Sequence, residues 1–101
     1  MKSYITMYEN EERAVELLIR DQDDVAWTPD AAYFKILSSE GPTVVTEGPA
    51  MVTGNTIYAL VTTVVTQNAG EYDIVWRIVK EGENDDSYTF YHKTRLVVEE
   101  L

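Results

Sequence analysis

The chain contains no cysteine. Disulfide frameworks, cysteine-bearing zinc sites and thiol nucleophiles are therefore excluded, and the absence fits a reducing compartment or a particle assembled in one. Histidine occurs once, as His92, which leaves no nucleophile–base pair of the usual kinds. Apolar runs are short, far from the ~20 residues that a membrane-crossing helix needs. The opening Met1-Lys2-Ser3-Tyr4 has no apolar stretch or small-residue cleavage site, so no secretory leader is expected. Positive charge is scarce: 8 Lys and Arg stand against 18 Asp and Glu, a formal net charge of −10. That balance opposes unspecific binding to nucleic acid or anionic lipid. The G-x-S-x-G, H-E-x-x-H, P-loop and G-x-G-x-x-G patterns are all missing. The expectation is a non-enzymatic protein with no cofactor, no small-molecule substrate, and neither nucleic acid nor membrane as partner.

What is present points to β-structure. The 101 residues make one domain's worth of chain, 1–101, and 45% of them are hydrophobic. A chain of this size buries roughly 60–70% of its unfolded surface and folds without staples. Thr, Val and Tyr recur in short runs broken by Gly, Pro, Asn and Asp clusters, which reads as all-β. The predicted strands, lettered A to G, are A 2–7, B 13–20, C 32–37, C′/D 43–53, E 56–65, F 71–80 and G 88–98. In B, Val15, Leu17 and Ile19 alternate with Glu16. A helix competes for this stretch, but its shortness and the lack of a convincing cap favour a strand. In C, Phe34 and Ile36 face one way, Tyr33 and Lys35 the other. Gly54-Asn55 marks a hairpin. Seven to nine short strands without a confident helix imply two packed antiparallel sheets, each hiding one apolar face.

The segment Asn68-Ala69-Gly70-Glu71-Tyr72-Asp73-Ile74 sharpens this reading. Immunoglobulin-like sandwiches carry a tyrosine corner at the start of the sixth strand, where a Tyr hydroxyl bonds to backbone upstream, two residues before a core position that is Cys in antibody domains. Here Tyr72 occupies the corner and Ile74 the Cys position. Asn68 is expected to supply the turn's acceptor, and Gly70 to leave room for the ring. Period two then sends Tyr72, Ile74, Trp76 and Ile78 inward, and Asp73, Val75, Arg77 and Val79 outward.

Such a topology sorts the surface. The B–C and F–G loops share one pole, gathering Asp21, Asp23, Asp24 and Asp30 with Glu81, Glu83, Asp85 and Asp86. This acidic pole is read as a solvated cap. Calcium, which takes six to eight oxygen ligands, is the competing reading, although Asp21-Gln22-Asp23-Asp24 lacks the Gly and the downstream Glu of an EF-hand loop. On the C–F–G sheet, parity turns Tyr33, Lys35, Val75, Arg77, Val79, Tyr91, Lys93, Arg95 and Val97 outward together. Tyr and Arg are enriched where interfaces concentrate binding energy, so Tyr33, Lys35, Arg77, Tyr91, Lys93 and Arg95 are the candidate docking residues. Trp27, before Thr28-Pro29, either plugs the end of the core or anchors a partner. His92 shares its parity with Phe90, Thr94, Leu96 and Val98, as a packed or edge residue.

With the corner, "RDQDDVAWTPDAAYFKI" and the terminal "HKTRLVVEEL", the chain resembles the small immunoglobulin-like proteins and domains of tailed-phage virions. The shared pattern is a strand ending "RD", an Asp-rich loop with proline, a strand, a G-N turn, and a "T-x-x-x-G-x-Y-x-I-x-W" stretch before the last strand. The resemblance implies a virion structural protein, assembled in the host cytoplasm, that docks in multiple copies on capsid, neck or tail. Its implied partners are other virion proteins and copies of itself, with no catalytic residues. The edge of the last strand, or the N-terminal strand, is a place for a neighbour to pair. A free-standing adhesion or carbohydrate-binding sandwich using Trp27, Tyr33 and Tyr91 is the alternative.

Overall fold

A computed structural model of the protein describes residues 4–21, 23–41, 43–81 and 87–101. Among them run β1 (Tyr4–Tyr8), β2 (Arg13–Leu18), β3 (Ala31–Ser38), β4 (Val44–Pro49), β5 (Met51–Thr53), β6 (Thr56–Val61), the one-turn helix α1 (Thr63–Thr66), β7 (Gly70–Glu81) and β8 (Ser87–Glu99). They form a five-stranded sheet in the order β1-β8-β7-β3-β4 and a three-stranded sheet in the order β2-β6-β5. In the letters above these are A-G-F-C-C′ and B-E-D. Apart from A, which pairs with G rather than with B, this is the strand grouping of an immunoglobulin-like sandwich with C′ beside C.

The hidden layer is built from the alternation read in the sequence. Tyr72, Ile74, Trp76 and Ile78 of β7 are buried, as are Ala32 and Ile36 of β3, Leu96 and Val98 of β8, and Met7 of β1. Facing them from the second sheet are Val15 of β2 and Ile57, Ala59 and Val61 of β6, with Ile19 just beyond β2. Trp76 is the largest fully buried side chain, and its indole N–H donates to Thr94 Oγ1 at 3.1 Å. The longest pairing joins β7 to β8 antiparallel from Gly70↔Val98 to Glu81↔Ser87.

Three expectations change. The sheets are not purely antiparallel: β1 runs parallel to β8, from Tyr4↔Arg95 to Tyr8↔Glu99. It covers only the last part of β8's edge; residues 87–94 pair with β7 alone among the described residues. The first strand was expected to begin at Lys2, and residues 2 and 3 lie outside the described residues. The stretch 43–53 divides into two strands, as its double letter C′/D implies, and β4 and β5 lie in different sheets. Its chain crosses between the layers at Ala50, which is buried and whose N–H donates to the Ala32 carbonyl at 2.9 Å. Strand E stops at Val61, and the expected strand residues 63–65 coil into α1 instead. Thr62 caps that helix, its Oγ1 accepting from the Val64 N–H. Thr66, fully buried, donates its hydroxyl to the Glu11 carbonyl at 2.8 Å and ties α1 to the β1–β2 turn.

The third change concerns the corner. Tyr72 Oη donates to the main-chain carbonyl of Asn68 at 2.7 Å, the upstream backbone bond expected of it; what changes is the part played by Gly70. Gly70 does not serve to make room for the ring. A Cβ built there meets nothing within 4 Å, whereas its φ of +150° is a conformation that L side chains rarely adopt.

Burial, with the charge of Glu40 adding to it, raises the Tyr72 phenol above its ordinary pKa of 10.0. Up to pH 10 both folded and unfolded chains keep this proton. Above it, the unfolded chain releases the proton first, and folding loses about 1.4 kcal/mol per pH unit until the folded phenol also ionises. Tyr72→Phe should therefore cost about 1 kcal/mol at neutral pH, the worth of one hydrogen bond, and should lack this alkaline component. Urea titrations of both proteins at pH 7 and pH 11 check it. Parallel pH slopes for the two proteins would rule the corner phenol out as their source.

Candidate functional site

The outer face of the five-stranded sheet carries most of the candidate residues. Cross-strand register builds it in rows. One row runs Pro49–Tyr33–Arg77–Tyr91 across β4, β3, β7 and β8, and the next runs Glu47–Lys35–Val75–Lys93. Neighbouring strands lie about 4.8 Å apart, so Lys35 and Lys93 are anchored roughly 10 Å from one another across Val75. The Arg77 guanidinium carbon sits 4.4 Å from the centre of the Tyr33 ring. At that distance the ring quadrupole attracts the cation without neutralising it. Tyr91, on the other flank of Arg77, is 69% exposed, which is high for so large a ring. A shallow groove of about 480 Å³ is lined by Tyr33, Lys35, Glu47, Pro49, Val75, Arg77 and Tyr91, with Phe34 and Gly48 beneath.

Four of the six candidate docking side chains thus line one groove, and Lys93 stands beside it in the Lys35 row. Arg95 is different. Its Nε lies 3.1 Å from Asp73 Oδ1, opposite it in the β7–β8 register, and its NH1 lies 3.5 Å from Glu71 Oε1. That guanidinium is already held by two carboxylates of its own sheet.

Trp27 stands apart from this face. It is half-buried against the core and packs on Phe90, with ring centroids 5.5 Å apart and planes tilted by 60°. It lines a lateral opening between β2 and the upper part of β8, with Leu17, Leu18, Ile19, Ile78 and Phe90. His92 lines the same opening and is exposed. The inward parity of β8 holds at Thr94, Leu96 and Val98, all buried, but Phe90 is 47% exposed because the sandwich gapes there.

The carboxylates of the B–C loop are largely engaged in their own loop. Asp21 Oδ1 accepts from the Asp23 and Val25 N–H groups. Asp24 pairs with Arg20 at 3.5 Å. Asp30 lies 3.8 Å from Lys80 Nζ and also accepts from the Glu81 N–H at 2.6 Å. Glu83, Asp85 and Asp86, three of the four acidic residues expected from the F–G side of the pole, lie outside the described residues. Among the described residues no group of three or more His, Cys, Asp or Glu side chains is arranged to hold a metal ion.

Pro49 and Glu47 belong to the face and were not anticipated. Their only sequence signal is that they precede Ala50 on a short β-rich run, and nothing in that run says which strand they flank.

The fold and this face together define an all-β, two-sheet sandwich with a mixed aromatic and cationic sheet surface. No protein-family model matches the chain, and no curated protein matches it.

Proposed function

We propose that the protein is a non-enzymatic docking module that binds other proteins through the outer face of its five-stranded sheet, as a structural component of a tailed-phage particle present in several copies. The observation that carries the docking reading is the composition of that face. Lys35, Arg77 and Lys93 gather with Tyr33, Tyr91 and Pro49 on a chain whose net charge is −10. Aromatic rings and guanidinium groups are the side chains that interfaces favour, with a polar, solvent-accessible rim around them. The virion setting rests on the sequence resemblance alone.

The saccharide alternative is less well supported by the geometry. Sugar platforms need exposed rings that share a plane of approach. Trp27 opens on the lateral side against Phe90, and the Tyr33 ring is already covered on one face by Arg77.

Two measurements test the proposal. Portal, capsid or tail genes next to the coding sequence are expected, and their absence would remove the virion setting. Purified protein should bind tailed or tail-less particles of that phage and not glycans. The double variant Arg77→Glu, Lys93→Glu should then dock at least about tenfold more weakly, near 1.4 kcal/mol, with an unchanged melting temperature. Undiminished docking by that variant would exclude this face.

A further inference from the structure

We infer that the occupant of the sheet face is the acidic surface of a different protein, one whose carboxylates reach Lys35, Arg77 and Lys93 while an apolar side chain seats on Val75. This inference rests on the docking reading above and names the chemistry of the partner. It comes from where the chain leaves its cations uncompensated. Of the 8 cationic residues, Lys2 lies outside the described residues, which leaves seven. Four of these are in ion pairs: Arg13 with Glu11, Arg20 with Asp24, Lys80 with Asp30, and Arg95 with Glu71 and Asp73. The three with no carboxylate within 4.0 Å among the described residues are Lys35, Arg77 and Lys93. They are scattered through the sequence and converge on two adjacent rows of one face.

With 18 carboxylates in the chain, three cations left unpaired side by side mean that this small region keeps its own acids away. The exception is Glu47, next to Lys35 in the register but not in ion-pair contact with it. Between the cations the surface is apolar: Val75 lies at the centre of one row, and the two tyrosines flank Arg77 in the other. An acidic partner with one apolar residue among its carboxylates matches both halves of that pattern. A basic partner meets three like charges.

The mismatch between a positive patch and a negative body gives the inference a signature. Charges interact over about 30 Å at 0.01 M salt but only about 8 Å at 0.15 M. The molecule measures 49 × 24 × 21 Å. At 0.01 M salt an acidic partner therefore feels the carboxylates of the whole body and is repelled. At 0.15 M it feels chiefly the patch it touches. Near 1 M the patch is screened as well. Affinity passes through a maximum at intermediate salt, whereas binding by a uniformly basic surface falls steadily from low salt.

The experiment is an amide-resolved NMR titration of the full-length protein with a synthetic seven-residue peptide alternating Glu with Tyr or Leu. A Lys-for-Glu peptide, heparin and the protein's own dilution series serve as the other arms. The expected result is a set of shifts confined to residues 33–35, 75–77 and 91–93, an affinity maximum between 0.05 and 0.3 M salt (roughly where the screening length matches the patch), and at least about tenfold weaker binding by the triple variant Lys35→Glu, Arg77→Glu, Lys93→Glu. No shifts, shifts elsewhere, binding of the Lys peptide, or a steady decline with salt overturns it. Stronger binding of heparin on the same residues overturns it in favour of a polyanion, and concentration-dependent shifts of the protein alone on those residues overturn it in favour of a second copy. Loss of particle docking in the triple variant without any peptide binding would refute the partner chemistry and leave the docking face standing; retained particle docking would refute the face itself.

Discussion

Replacing Trp76 by alanine should remove about 3–5 kcal/mol of stability. The side chain is fully buried, in the middle of β7, with Ile74 and Ile78 on the same inward face. Domains of this size have a net stability of about 5–15 kcal/mol, so the variant retains little or none of the lower figure. Its melting temperature should fall by more than about 12 °C, since 1 kcal/mol is worth about 4–8 °C at this length. The contrast with Trp76→Phe separates volume from hydrogen bonding. Phenylalanine keeps most of the ring volume but withdraws the indole N–H from Thr94 Oγ1, in a residue that is only 6% exposed. That change should cost about 1–2 kcal/mol, much of it from the stranded hydroxyl. Adding Thr94→Val removes the hydroxyl, and the double variant should recover part of the loss. Melting curves of the parent, Trp76→Phe, Thr94→Val and the double variant close the cycle. An alanine variant within about 0.5 kcal/mol of the parent, as surface changes are, would place Trp76 outside the core.

That such a residue was legible from sequence has a physical reason. β7 places a large apolar side chain at every second position from Tyr72 to Ile78, with Asp73 and Arg77 among the residues between, which is the pattern of a strand with one covered face. The tyrosine corner adds a local hydrogen bond at a fixed offset, so both the register and the strand's start were readable. The same parity on β3 and β8 brought Tyr33, Lys35, Arg77, Tyr91 and Lys93 to one surface, as the register shows.

What was not legible depended on partners distant in sequence. The run Thr62-Thr63-Val64-Val65-Thr66 is β-branched throughout, and propensity alone extends strand E through it. The helix forms because Thr62 caps it and Thr66 finds the Glu11 carbonyl 55 residues away. The crossing of the chain between sheets at Ala50 is likewise a tertiary event, fixed by the Ala32 carbonyl. Parity also assigned Arg95 the same role as Arg77. The difference between them is the carboxylate across the strand pair: Asp73 faces Arg95, while Tyr91 faces Arg77. Which cations remain available is a property of register, and register is set by the whole sheet.

Gly70→Ala should destabilise the fold by about 1–3 kcal/mol although it adds one methyl to open space. Gly70 is exposed and begins β7, pairing with Val98 at the end of the longest ladder in the molecule. No heavy atom lies within 4 Å of the position its Cβ would take, so steric crowding predicts a neutral change. The φ of +150° predicts a costly one, because an L residue there must either accept strain or rotate the chain out of the corner that places Tyr72 under Asn68. Chirality separates the two accounts. A D-alanine at position 70, introduced by chemical ligation of synthetic segments, adds the same methyl but favours positive φ, and it restricts the unfolded chain more than glycine does. The D-alanine protein should therefore melt at or above the parent temperature, and the L-alanine protein well below it. Equal melting of the two alanine proteins would mean that backbone handedness at residue 70 has no part in building the corner, and that the strand could start without it.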